Sequence, residues 1–177
     1  MKKPISLFVL ISLLLLAGCT AATYEYTSTP ISSTVSTQAF DAAFTPEKND
    51  GEYFNRFRVD IKNLSDSPLE VDWNKTVYLL NGKNRGRFVW AGIDPATVKA
   101  GKVPFDVVGP GQSLSRIISP LSKVAISQRK DHRAGKDKAG LYAGILPAGE
   151  NGILLTVKHD GKSVVKKMLV VIVEEKK

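Results

Sequence analysis

Apolar residues recur at every second position through most of the chain, a spacing that suits strands and argues against helices. Phe57, Val59 and Ile61 alternate with Arg56, Arg58, Asp60 and Lys62. Leu69, Val71 and Trp73 alternate with Glu70, Asp72 and Asn74, and Ile153, Leu155 and Val157 repeat the pattern. Successive strand residues point to opposite faces, so this alternation describes sheets with one buried face. Ser163 to Val173 is dense in Val, Ile and Leu, as expected of a central strand. After residue 16 no stretch shows a convincing 3.6-residue period, although Pro95 to Gly101 has room for one helical turn.

Turn signals separate these runs. Asn63 to Pro68, Asn81 to Gly86 and Gly109-Pro110-Gly111-Gln112 are turns by composition. The Asp160-Gly161 pair predicts a two-residue hairpin. After Asn74 the alternation loosens into Val77-Tyr78-Leu79-Leu80, which predicts a bulge. Shorter strands are expected within Thr34 to Phe44, Arg87 to Trp90, Leu114 to Ile118, Val124 to Ile126 and Leu141 to Leu146. The expected fold is therefore all-β: a single antiparallel β-sandwich of seven to nine strands. The 177 residues, 43% apolar and 24% charged, suffice for one such domain and exclude a disordered chain.

The first nineteen residues carry a different message. Met1-Lys2-Lys3-Pro4 is a basic head, Ile5 to Leu16 an apolar run of twelve with Ser6 and Ser12, and Ala17-Gly18-Cys19 a small-residue end. The run is short for a membrane span, which needs about 20 apolar residues, and the order is that of a cleaved signal peptide. Leu16-Ala17-Gly18-Cys19 resembles the lipobox of bacterial lipoproteins. That resemblance implies cleavage between Gly18 and Cys19, with diacylglycerol and an N-acyl chain on Cys19 and no other cofactor. Two or more acyl chains make a stable anchor where one does not. Thr20 in place of Asp resembles the outer-membrane pattern, facing the periplasm in a Gram-negative host.

The expected organisation is a signal peptide over 1–18, a lipidated Cys and Thr/Ser-rich tether over 19–33, and the sandwich over 34–177. Fourteen tether residues, fully extended, reach about 45 Å. Cys19 is the single cysteine, so the mature domain has no internal disulfide. Loss of Lys2 and Lys3 leaves 23 basic against 17 acidic side chains, a net +6.

A second resemblance rests on Val71-Asp72-Trp73-Asn74-Lys75-Thr76, on Arg87-Phe88-Val89 with Gly92-Ile93, and on Gly109 to Ser113 leading to Ile118-Ser119-Pro120. Over roughly Phe57 to Val124 the chain resembles a group of envelope lipoproteins that mostly lack an assigned function. The resemblance implies an immunoglobulin-like sandwich and an envelope location, and it carries no catalytic residue across.

Candidate sites are few. Gln128 to Gly140 reads as a polar loop whose Arg129, Lys130, Arg133, Lys136 and Lys138 outnumber Asp131 and Asp137. Such a loop suits an anionic lipid or envelope polymer. It has no aromatic residue to stack on bases, which speaks against nucleic acid. His132 and His159 each neighbour an aspartate, Asp131 and Asp160, and read as surface histidines. Ser127 and Lys130 have the spacing of a serine–lysine pair without companion motifs. Glu70 and Asp72 share one strand face that reads as solvent. Trp73 reads as a core anchor, and Trp90 as either core or a partner contact. Asn63-x-Ser65 and Asn74-x-Thr76 match the glycosylation pattern, which means little in a bacterial lipoprotein. No metal motif and no nucleophile elbow accompanies them. The function expected from this sequence is a membrane-anchored, non-catalytic binding or assembly module with an envelope protein partner. A binder of anionic lipid or polymer, and more remotely an envelope hydrolase, are its alternatives.

Overall fold

Alternation turns one face of each long strand inward, and two sheets meet over those faces. The computed structural model describes residues 23–48, 51–130 and 137–177, with side chains left aside for 99, 126–130 and 137–140. The strands are β1 Tyr24–Thr29, β2 Ser33–Ser36, β3 Phe40–Lys48, β4 Phe54–Asn63, β5 Leu69–Val71, β6 Val77–Leu80 and β7 Lys83–Asn84. They continue with β8 Phe88–Val89, β9 Asp106–Val108, β10 Ser113–Pro120, β11 Val124–Lys130, β12 Asp137–Ala143, β13 Gly149–His159 and β14 Lys162–Lys176. One sheet has the order β1-β14-β13-β5-β9, with β6 on β13 next to β5 and β7 on β6. The other has the order β2-β3-β4-β10-β8, and β11 and β12 form a separate hairpin. Every recorded pairing is antiparallel. The fold is an all-β sandwich, open rather than closed into a barrel.

More strand segments are described than the seven to nine expected, and three of the differences have a visible cause. Thr34 to Phe44 is two strands, because Thr37 caps a turn: its Oγ1 accepts from the Ala39 and Phe40 N–H groups at 3.2 and 2.9 Å. Leu69 to Leu80 is one path along β13 broken in the middle. β1 lies within the segment read as a tether, so the sheet begins at Tyr24 rather than Thr34. Its backbone pairs with the last residues of β14, from Tyr24↔Lys176 to Thr29↔Val171. The Tyr26 hydroxyl donates to Glu174 at 2.6 Å.

The turn chemistry follows the dipeptides. Asp160 and Gly161 both have positive φ, 49° and 71°, as a tight hairpin between β13 and β14 demands. Asn81 and Gly82, at 50° and 72°, do the same between β6 and β7. The helical turn α1 at Pro95–Lys99 starts with proline behind an Asp94 cap that accepts from the Ala96 N–H at 2.9 Å, and a 3₁₀ turn follows at Leu121–Lys123.

The core is aromatic at its centre. Phe44 of β3 stacks on Phe57 of β4 with centroids 4.3 Å apart, and Phe88 of β8 meets both edge-on. Tyr78 comes from the opposite sheet to complete the group. Its hydroxyl donates to Asn151 Oδ1 at 2.5 Å, and Asn151 Nδ2 donates to the Pro147 and Gly149 carbonyls. Burial pushes the Tyr78 phenol well above the usual tyrosine range.

Between β5 and β6 the chain leaves the ladder for five residues. The Asp72 N–H still reaches the Thr156 carbonyl at 2.9 Å, and the Thr76 N–H closes a turn back to the Asp72 carbonyl at 2.9 Å. The Thr156 N–H, which faces the gap, donates at 3.1 Å to the hydroxyl of Thr76. That hydroxyl in turn donates to the Asp72 carbonyl at 2.9 Å. A side chain thus replaces the missing ladder partner, at a position with no solvent exposure.

Thr76→Val keeps the shape and deletes the hydroxyl, leaving the Thr156 N–H buried and unpaired. Unfolding in urea is expected to show a loss of about 1–3 kcal/mol, with Thr76→Ser retaining most of the stability.

Candidate functional site

Trp73, in step with Leu69 and Val71, points inward and is fully buried. Its indole N–H donates to Asp106 Oδ2 at 2.8 Å. Asp106 opens β9 in the same sheet and also takes Arg116 from β10 of the other sheet. The Arg116 Nε–H donates to Asp106 Oδ2 at 3.1 Å, and Nη2 pairs with Oδ1. The Arg116 guanidinium lies 5.1 Å from the ring centre of Trp90, whose ring is 5.5 Å from that of Trp73. Trp73, Asp106, Arg116 and Trp90 therefore join the two sheets, with a bidentate ion pair whose guanidinium lies over the Trp90 indole. Trp90 is half-buried and borders a cleft beside the β11–β12 hairpin.

Asn74, next to Trp73, performs a similar task. Its Nδ2 donates to the Val103 carbonyl at 2.6 Å and its Oδ1 accepts the Val103 N–H at 2.8 Å, so its amide pairs with backbone as a strand would. Asn63 is fully buried, with Nδ2 donating to the Ser67 and Val108 carbonyls and Oδ1 accepting from Ser65. Both asparagine amides of the glycosylation-like triplets are thus hydrogen-bonded within the chain, Asn63 in the interior and Asn74 at the surface.

The two carboxylates of β5 differ from expectation. Glu70 is half-buried and Asp72 buried rather than solvated. The reason is Lys158 on the neighbouring β13, which bonds Glu70 and lies 3.6 Å from Asp72. The Glu70 hydrogen bond, with help from Asp72, holds the Lys158 ammonium above its usual range against partial desolvation. Asp72 Oδ1 also caps the turn through the Asn74 and Lys75 N–H groups. The pair neutralises a lysine and holds a turn.

One cluster has no local sequence signal. Ser67 Oγ lies 2.9 Å from His159 Nε2 and donates to Asp160 Oδ1 at 2.8 Å. Asp160 Oδ2 is also 3.5 Å from the same Nε2. In a nucleophilic triad the carboxylate holds the other ring nitrogen, leaving Nε2 to take the serine proton. Here the carboxylate accepts the hydroxyl's hydrogen bond itself, so the cluster locks the Asn63–Pro68 turn onto the β13–β14 hairpin.

The segment read as a basic loop is largely hairpin. β11 and β12 pair from Val124↔Ala143 to Lys130↔Asp137, setting Arg129 opposite Lys138. The strands extend because the register continues past the apolar residues that the sequence reading used to mark them. Ser127, Arg129, Lys130 and Lys138 are placed by backbone alone, whereas Asp131, His132, Arg133 and Lys136 lie outside the described residues, as do Gly18 and Cys19.

A broad groove of about 610 Å³ crosses the sheet of β2, β3, β4 and β10 near Thr34, Ala43, Asp60 and Ser115. Its carboxylates are already served: Ser36 donates to Asp41, and Ser115 to Asp60 at 2.6 Å. Among the described residues no three His, Cys, Asp or Glu side chains gather as a metal site. Among them, too, no helix is long and apolar enough to cross a membrane.

What the geometry defines is an all-β sandwich whose charged clusters are spent on joining its elements. Comparison with protein-family models, with curated proteins and with solved structures returns no match.

Asp106→Ala strips the acceptor from Trp73 and the ion partner from Arg116. Denaturant unfolding is expected to show a loss of about 2 kcal/mol. Asp106→Asn, which still accepts from the indole, is expected to recover part of it.

Proposed function

We propose that the chain is a lipid-anchored envelope protein whose sandwich, of the immunoglobulin-like kind, acts as a non-catalytic binding or assembly module. The observation that carries this reading is the order of basic head, apolar run and Leu16-Ala17-Gly18-Cys19. Anchoring keeps such a domain at high effective concentration beside membrane partners.

The start of β1 adds geometry to the anchor. Four residues separate Cys19 from Tyr24, a reach of about 17 Å at most when extended. The domain then stands close to the bilayer, not at the end of a 45 Å tether. The Thr23 carbonyl accepts from the Lys177 N–H at 2.8 Å, so both ends of the ribbon would lie at the membrane side.

A second reading rests on the sequence: over 128–140, Arg129, Lys130, Arg133, Lys136 and Lys138 outnumber Asp131 and Asp137, an excess that suits an anionic lipid or polymer.

Metabolic labelling with an alkynyl fatty acid, followed by cross-linking in cells and mass spectrometry, tests both readings. The wild-type chain is expected to take the label and one dominant envelope protein, and Cys19→Ser to lose both. Label that survives Cys19→Ser would refute the anchor. Cross-links confined to lipid or polymer would favour the hairpin reading over the protein partner.

A further inference from the structure

β14 outruns its neighbour on one side. Its register with β13 runs without a shift from Gly149↔Ile172 to His159↔Lys162. On the opposite side β1 covers it only from Tyr24↔Lys176 to Thr29↔Val171. Pro30 has no N–H to continue that ladder, and the chain crosses to the other sheet, where β2 pairs with β3. Among the described residues no strand pairs with Lys162–Met168 on that side.

The backbone there is set for a partner. The Leu169 N–H points to the open side, where it donates to the Ser33 hydroxyl at 3.2 Å. The N–H and C=O groups of an antiparallel strand alternate between its two sides, so Ser163, Val165 and Lys167 turn theirs the same way. An extended chain laid along them would prolong the ladder that β1 begins opposite Val171 and Val173. Peptides add to sheet edges in this manner, with main-chain bonds giving affinity and side chains giving choice.

Charge selects the occupant. Lys162, Lys166 and Lys167 belong to this stretch and form no ion pair among the described residues. Opposite them on β13 stand His159, Leu155 and Leu154, none of them acidic. Lys166 is in step with buried Met168 and Val170, whereas Lys167 lies on the other face with Val165, which is 55% exposed. Residues directly opposite across a ladder share a face. A fitting strand therefore carries carboxylates opposite Lys166 and Lys167 and a β-branched residue opposite Val165. A second copy paired through the same edge would set its own lysines against these, a repulsion that keeps lysine-bearing edges apart. The chain's own residues 1–23 hold no Asp or Glu, so they do not supply the carboxylates.

We propose that the Lys162–Met168 edge of β14 binds an acidic, extended peptide segment of a protein partner by strand addition. This gives the binding module proposed above a class of partner and rests on that reading, whereas acylation of Cys19 plays no part in it.

The test is amide hydrogen exchange of the ¹⁵N-labelled full chain with acetyl-Thr-Glu-Glu-Val-Thr-Thr-Glu-Thr-amide. Saturating peptide is expected to slow the Ser163, Val165 and Lys167 amides about tenfold and to leave Val164 and Lys166, which face β13, unchanged. The same peptide with proline at its fourth and sixth positions keeps the charge but loses two strand donors, and is expected to bind at least about tenfold more weakly. Lys162→Glu combined with Lys167→Glu, both at exposed positions, is expected to weaken binding at least about tenfold with the unfolding midpoint unchanged. Inorganic polyphosphate is expected to leave the three amides unslowed. No slowing by the acidic peptide, equal binding of the proline peptide, equal slowing by polyphosphate, or undiminished binding by the double variant would each overturn the proposal. Cross-linking in cells to an envelope protein does not depend on this titration, so the edge and the binding module fail separately.

Discussion

The Thr76 hydroxyl closes a gap in the β13 ladder, and through that closure the chain leaves its strand for five residues without orphaning the Thr156 N–H. Within those residues Trp73 reaches the core, Asn74 clasps the backbone of Val103, and Asp72 caps the turn. Trp73 then meets Asp106, and Asp106 holds Arg116 from the opposite sheet. The contacts around this break thereby tie two loops and both sheets together.

Much of this architecture is legible from spacing. The alternation around Phe57 and Leu69 identifies inward faces that are indeed buried, and Asp160-Gly161 specifies its hairpin because both residues take positive φ. The loosening after Asn74 marks the break, although not the hydroxyl that repairs it. β1 escapes notice because its Thr and Ser residues look like a linker. What makes it a strand is the far end of β14, more than 140 residues away, and no local pattern reports that. Ser67 meeting His159 and Asp160 is invisible for the same reason.

The bulge in β4, where the register with β3 shifts between Glu47 and Lys48, is half legible. Phe54 and Phe57 are both buried and stand three residues apart, an odd interval that a regular strand cannot bury on one face. That slip in parity is the signature of a bulge, and the bulge is what turns Asn55 towards the cleft beside the hairpin. By contrast, the acidic and histidine candidates of the sequence are absorbed by neighbours in the fold: Glu70 and Asp72 by Lys158, His159 by Ser67.

If Cys19 carries the proposed acyl chains, a sandwich whose first strand starts at Tyr24 stands close to the bilayer. β14 runs fifteen residues from Lys162 to Lys176, so its hairpin end lies about 45 Å from its ribbon end. Paramagnetic broadening by nitroxide-headgroup lipids, recorded on the acylated chain in nanodiscs, reads the distance of each amide from the bilayer. The account predicts strong broadening over Tyr24–Thr29 and Glu174–Lys176, and none at Asp160–Lys162. Uniform broadening, or broadening strongest at Asp160–Lys162, would contradict it.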